Sequence, residues 1–125
     1  MDYSQLSDFE INKRVAEVIY KDRNGLFVAR NLPSKEGVTI VAEVNSEDIC
    51  IAAADYCNNP ADAWPIIMEN KISIMFDSTD TRYEGEYHEW CDAISSCQKF
   101  GIQYQSNPLR AAMIVFLMMQ DANNA

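Results

Sequence analysis

Positive charge and histidine are both scarce in this chain. Ten Lys and Arg face nineteen Asp and Glu, the formal net charge is −9, and His88 is the single histidine. Binding along a phosphate backbone needs a basic surface, so the balance argues against direct nucleic-acid binding and favours basic partners. No apolar run approaches the ~20 residues of a membrane span, so no membrane association is expected. Met1 is followed by Asp2, Tyr3 and Ser4, with neither a basic flank nor an apolar segment, so no secretory signal is read. A cytoplasmic protein is expected. Patterns of the GxSxG, HExxH, GxGxxG and phosphate-loop kinds are missing, and one histidine gives the many hydroxyls and thiols little choice of base. No catalytic residue and no cofactor is therefore expected. Cys50, Cys57, Cys91 and Cys97 lack the tight C-x2-C spacing of zinc sites. A metal site could still be drawn from His88, Cys91 and two further cysteines, but free thiols in a reducing compartment are the preferred reading. Low-complexity tracts, repeats and linkers are also lacking. The 125 residues are expected to form one domain over 1–120, ending in a frayed polar tail over 121–125.

What is present is a long greasy segment near the end. Ala111–Met119 holds nine consecutive residues without a charge or a strongly hydrogen-bonding side chain. Asn107 followed by Pro108 supplies a helix start. A helix apolar all round has no face suited to water, so the rest of the chain must cover it on several sides. Met113, Met118 and Met119 are read as core, with any leftover surface available as a homodimer seam.

Other elements announce themselves by their ends. Ser7 and Glu10 make a capping-box pattern with Leu6 and Ile11 as staple. Ile11, Val15, Val18 and Ile19 then recur at helical spacing, with Glu10, Lys13, Arg14 and Glu17 on the wet side. Asp22–Gly25 turns the chain. Leu26–Arg30 and Val38–Val44 read as strands joined by a loop over Asn31–Gly37. Ile49–Ala54 is either a strand or a turn of helix. Asn58 and Asn59 before Pro60 open a second helix, in which Ala61, Trp64, Ile67 and Met68 are expected to line the core face and Pro65 to kink the axis or free a carbonyl. Lys71–Phe76 alternates as a strand with Ile72, Ile74 and Phe76 on one side. Residues 86–100 fit a helix ending at Gly101. They fit equally a strand from about His88 to Ser95, followed by a loop or short strand to Tyr104, with Trp90, Asp92 and Ile94 sharing a face.

Three blocks, LSDFEINKRVAEV, YCNNPADAWPII and NPLRAAMIVFLMMQ, resemble the NinX-like family of temperate lambdoid phages. The order of elements is also similar, more weakly, to phage α-β-α sandwich proteins. The second resemblance implies a strand around Trp90, and with it an α+β fold: a small, mainly antiparallel sheet with about three helices packed on it. Together the resemblances imply a phage or prophage accessory protein in the host bacterial cytoplasm. They carry no activity, cofactor or catalytic residue.

Two places could carry function. From Asp77 to Asp92 six acids (Asp77, Asp80, Glu84, Glu86, Glu89 and Asp92) meet one base, Arg82, with Tyr83, Tyr87 and Trp90 interleaved. A solvated hairpin is one reading. The other is a partner surface built from Tyr83, Glu84, Glu86, Tyr87, Glu89 and Trp90, where rings supply buried area and acids steer a basic host or phage protein. Calcium fits poorly, because D-S-T-D-T-R lacks alternating ligands and a central glycine. The second place is Arg110, a cation in the first turn of its helix, where it opposes the helix dipole. It either pairs with Asp62 or another acid, tying two helix starts together, or joins Asn107 in a pocket for a phosphate- or carboxylate-bearing ligand.

Overall fold

The computed structural model describes residues 1–23, 25–30, 36–80, 82 and 84–123. After a 3-10 turn at Tyr3–Gln5, α1 spans Asp8–Ile19. Ser7 caps α1: its hydroxyl oxygen accepts the Glu10 amide at 3.1 Å and its hydroxyl donates to the Glu10 carboxylate at 3.3 Å. Strands β1 (Leu26–Arg30), β2 (Val38–Val44) and β3 (Glu47–Ala54) follow, then helix α2 (Pro60–Asn70). Strands β4 (Ser73–Ser78), β5 (Glu89–Ile94) and β6 (Gly101–Gln105) lead to α3 (Pro108–Asn123). The expected loop over Asn31–Gly37 lies outside the described residues for positions 31–35, as does Asn24 of the expected turn.

The class is α+β with antiparallel pairing, but the described residues form two three-stranded sheets, ordered β1-β2-β3 and β4-β5-β6, rather than one. Helices α1 and α3 lie between them. The first sheet packs on α1, the second on α3, and α3 also packs on α1 and α2. The expectation of helices on the faces of one sheet is corrected on this point. The local reason is visible in the first sheet: β2 turns back into β3 through Asn45 and Ser46, both at positive φ (53° and 66°). That two-residue turn matches strand twist and makes residues 47–54 a strand. Without glycine in it, the turn was invisible as a hairpin signal. Gly101 likewise starts β6 instead of ending a helix; a Cβ there would sit 3.2 Å from the Ala93 carbonyl oxygen of the neighbouring strand.

Strand β5 occupies the centre of the second sheet. Its Cys91 and Ala93, and Ser95 just beyond, are buried towards α3, while Trp90, Asp92 and Ile94 share the other, half-buried face. The alternation expected in β4 holds for Ile72 and Ile74 but not for Phe76, which is 75% exposed. Covered by α1, α2 and the second sheet, α3 is buried at seven consecutive positions, Ala111–Leu117. Met113 is fully buried and Met118 and Met119 are half-buried against the core. Past Gln120 the helix continues to Asn123, and the Tyr3 hydroxyl donates to Asp121. Burial and this carboxylate push the Tyr3 hydroxyl up to about 12.

Helix α2 corrects the expected core face. Ala63, Ile66 and Ile67 are buried, whereas Ala61, Trp64 and Met68 face solvent, Trp64 being 58% exposed. Two apolar stripes run side by side on this helix, and periodicity alone does not say which one turns inward. Pro65 lies on the exposed side with Ala61, where water can take the carbonyl it frees. Replacing Ile114 by Ala should lower the unfolding free energy by about 2–5 kcal/mol. Trp64→Ala should cost under about 1 kcal/mol, as surface changes do. Urea unfolding of the two variants reads both values, and a larger loss for Trp64→Ala would contradict this orientation of α2.

Candidate functional site: a polar junction and an acidic hairpin

The helix starts meet in one polar junction. Arg110 reaches Asp8, the first residue of α1, with Nη1–Oδ1 at 2.8 Å, and both side chains are largely buried. Its Nη2 donates to the carbonyl oxygens of Leu6 (2.6 Å) and Ser4 (3.3 Å). The acid is therefore Asp8 rather than Asp62, whose carboxylate accepts the Asp55 amide at 2.9 Å. Asp8 suits the positive end of α1, and its carboxylate offsets the misplaced cation at the start of α3. Asn107 caps α3 through Oδ1, which accepts the Leu109 and Arg110 amides. Its amide group donates to the Cys57 carbonyl at 2.8 Å and to the Asn58 side chain at 3.2 Å. Asn58 in turn donates to Asp8 and Asp55.

Asn12 completes the junction. It is fully buried, donates to the Glu36 carbonyl and to Asp55, each at 2.9 Å, and accepts the Cys57 amide at 3.0 Å. A buried amide without these partners would be costly. Among the described residues no buried side-chain nitrogen or oxygen lacks a partner. Sequence reasoning did not single out Asn12, Asp55 or Asn58. The signal for Asn12 was its place beside Ile11 and one turn before Val15 and Ala16, a polar residue on the apolar face. Asn107 and Arg110 thus come together as the anion reading requires, but their donors are engaged by the protein itself. Cutting Arg110 back to Ala should lower stability by about 2–4 kcal/mol, since it strands Asp8 and two carbonyls. Arg110→Lys should recover little of it, because an ammonium cannot span the three acceptors. Thermal unfolding of the two variants checks this; an Ala variant as stable as the wild type would refute the tie.

Cysteine placement divides two and two. Cys57 and Cys91 are buried, and burial raises both thiols, Cys57 strongly. Cys50 and Cys97 are exposed, and a hydrogen bond with Ser95 lowers the Cys97 thiol. His88 Nε2 lies 3.8 Å from a Glu86 carboxylate oxygen, both side chains exposed. Among the described residues no three His, Cys, Asp or Glu form a group able to hold a metal.

The acidic hairpin stands at the far end of the second sheet. Thr79 ties its base: its amide donates to the His88 carbonyl at 2.9 Å, and its hydroxyl oxygen accepts the His88 amide at 2.9 Å. Arg82, the one base, turns onto Asp80 at 3.4 Å, and its backbone amide lowers the Asp80 carboxyl further. Glu84, Glu86, Tyr87 and Glu89 are exposed and Trp90 is half-buried; Tyr83 lies outside the described residues. The Tyr87 hydroxyl donates to Glu89 at 3.0 Å. A cleft of about 350 Å³ opens here, lined by Phe76, Asp77, Ser78, Tyr87, Glu89 and Trp90. On the outer face of the sheet the Trp90 and Tyr104 rings lie 5.7 Å apart. Tyr104 is 73% exposed and sits at φ 58° in an irregularity of the β5–β6 pairing, held by its amide donating to Asp92 at 2.9 Å. Phe76 and Tyr104 were both missed as surface residues. The position of Phe76 in an alternating strand pointed inward, and nothing in the sequence marks a left-handed tyrosine.

Among the described residues no helix is long and apolar enough to cross a membrane. No curated protein and no solved structure matches the chain. A family model described as Bacteriophage P22, NinX matches residues 2–120. The three segments that carried the resemblance are the ones that supply Asp8 and Asn12, Cys57 and Asn58, and Asn107 and Arg110 to the junction. With the match running over nearly its whole length, the chain belongs to the bacteriophage P22 NinX family.

Proposed function

We propose that this protein is a non-enzymatic phage accessory protein that works in the host cytoplasm by binding a basic host or phage protein. The contact surface is the hairpin of Glu84, Glu86, Tyr87 and Glu89 with Trp90 beside it. One observation carries the reading: these acids and the Tyr87 ring are presented to solvent together, while Arg82 of the same segment turns onto Asp80. Rings in such a setting supply contact area that is lost from water on binding, and uncompensated acids raise the encounter rate with a cationic surface. The anion-site reading at Asn107 and Arg110 gains no comparable support, because both side chains already serve the junction.

Tagged protein should retain a basic partner from host lysate, and a Glu84→Gln, Glu86→Gln, Tyr87→Ser triple variant should retain it about tenfold less, a change of about 1.4 kcal/mol. Raising the salt concentration should weaken capture by the wild type, as screening requires. A partner held equally by the triple variant would remove this surface from consideration.

A further inference from the structure

We infer that the cleft between the end of β4 and the Tyr87–Trp90 segment receives an arginine side chain of the partner; this rests on the reading of the hairpin as a partner surface. Two rings, Phe76 and Tyr87, and the Glu89 carboxylate line the cleft, while Asp77 and Trp90, paired across the strands, turn their side chains to the other face of the sheet. Its volume of about 350 Å³ is small for a binding pocket and suits one side chain rather than a packed helix. Phe76 is 75% exposed and Tyr87 is 56% exposed, so a visitor finds bare ring surface. Among the described residues Glu89 has no salt-bridge partner. The Tyr87 hydroxyl donates to Glu89 Oε1, which fixes ring and carboxylate relative to each other.

Charge decides between occupants. An anion would enter a segment carrying six acids and one base. A purely apolar side chain would strip water from the Glu89 carboxylate and give it nothing in return, which is unfavourable. A cation satisfies that carboxylate and is drawn to ring faces as well. Between the two common cations, guanidinium is the better match. It is planar, weakly hydrated, stacks on aromatic rings and donates in a fork to a carboxylate, whereas ammonium is a compact, strongly hydrated point charge.

The test uses end-blocked Gly-Ser-Arg-Ser-Gly and the same peptide with lysine or citrulline in the centre, titrated into the full chain and followed by NMR shifts. The arginine peptide should give weak, saturable shifts centred on Phe76, Tyr87 and Glu89. Lysine should bind several-fold more weakly, and the neutral citrulline at least about tenfold more weakly. Phe76→Ser and Glu89→Gln should each weaken the arginine peptide about tenfold, and Glu43→Gln, on the other sheet, should leave it unchanged. Phe76 is so exposed that its replacement should leave the fold intact, which circular dichroism checks independently. Absence of saturable binding, equal binding of lysine, or indifference to Phe76→Ser would overturn the assignment, since diffuse attraction to an acidic chain does not depend on a neutral ring. A protein partner lost by the triple variant but unaffected by Phe76→Ser would remove the cleft and leave the surface reading standing.

Discussion

Everything in this fold answers to the closing helix. From Ala111 to Leu117 every residue of α3 is buried, so the hydrophobic effect has to be satisfied on all sides of one cylinder. A single sheet could cover only one side. Helix α1, helix α2 and the second sheet divide the circumference among them, and the first sheet closes over α1 in turn. Greasy contacts of this kind are strong but non-directional, and they would tolerate a helix sliding along its axis. The polar junction supplies the register. Asn107 and Arg110 hold the start of α3 against the start of α1 and the approach to α2, through bonds that are satisfied in one arrangement only. Burial gives the fold its stability, and the junction gives that stability a unique geometry.

Much of this was legible in the residues. Ser7, Asn59 and Asn107 cap the helices they were expected to cap, and strands β1 and β2 begin and end where β-branched residues and punctuation placed them. The need to cover α3 followed from its composition alone. What escaped was whatever depends on tertiary choice. Helix α2 has two apolar stripes, and only the packed structure shows that Ala63, Ile66 and Ile67 turn inward while Trp64 turns out. Asn45 and Ser46 form a left-handed turn whose second position most sequences would reserve for glycine. Arg110 was recognisable as a locally wrong residue, and the class of remedy was readable too, but which acid supplied it was not.

The candidate site was legible in part for a related reason. Charge and aromatic content along 77–92 are properties of sequence, and exposure of a loop rich in acids is expected. The cleft itself is a property of strand ends. It exists because Phe76, on β4, lies beyond the cover that α3 gives to Cys91 opposite it. The scaffold and the surface also separate along the chain. The three segments that carried the resemblance build the junction and much of the core, while the acidic hairpin lies between the second and third of them.

Native-state hydrogen exchange reads the central claim most directly. If α3 is covered on every side, the amides of Ala111–Leu117 exchange last, at a rate set by global unfolding, while those of 84–87 exchange with little protection. Exchange of the α3 amides as fast as those of the hairpin, or by a local opening well below the global unfolding free energy, would contradict it.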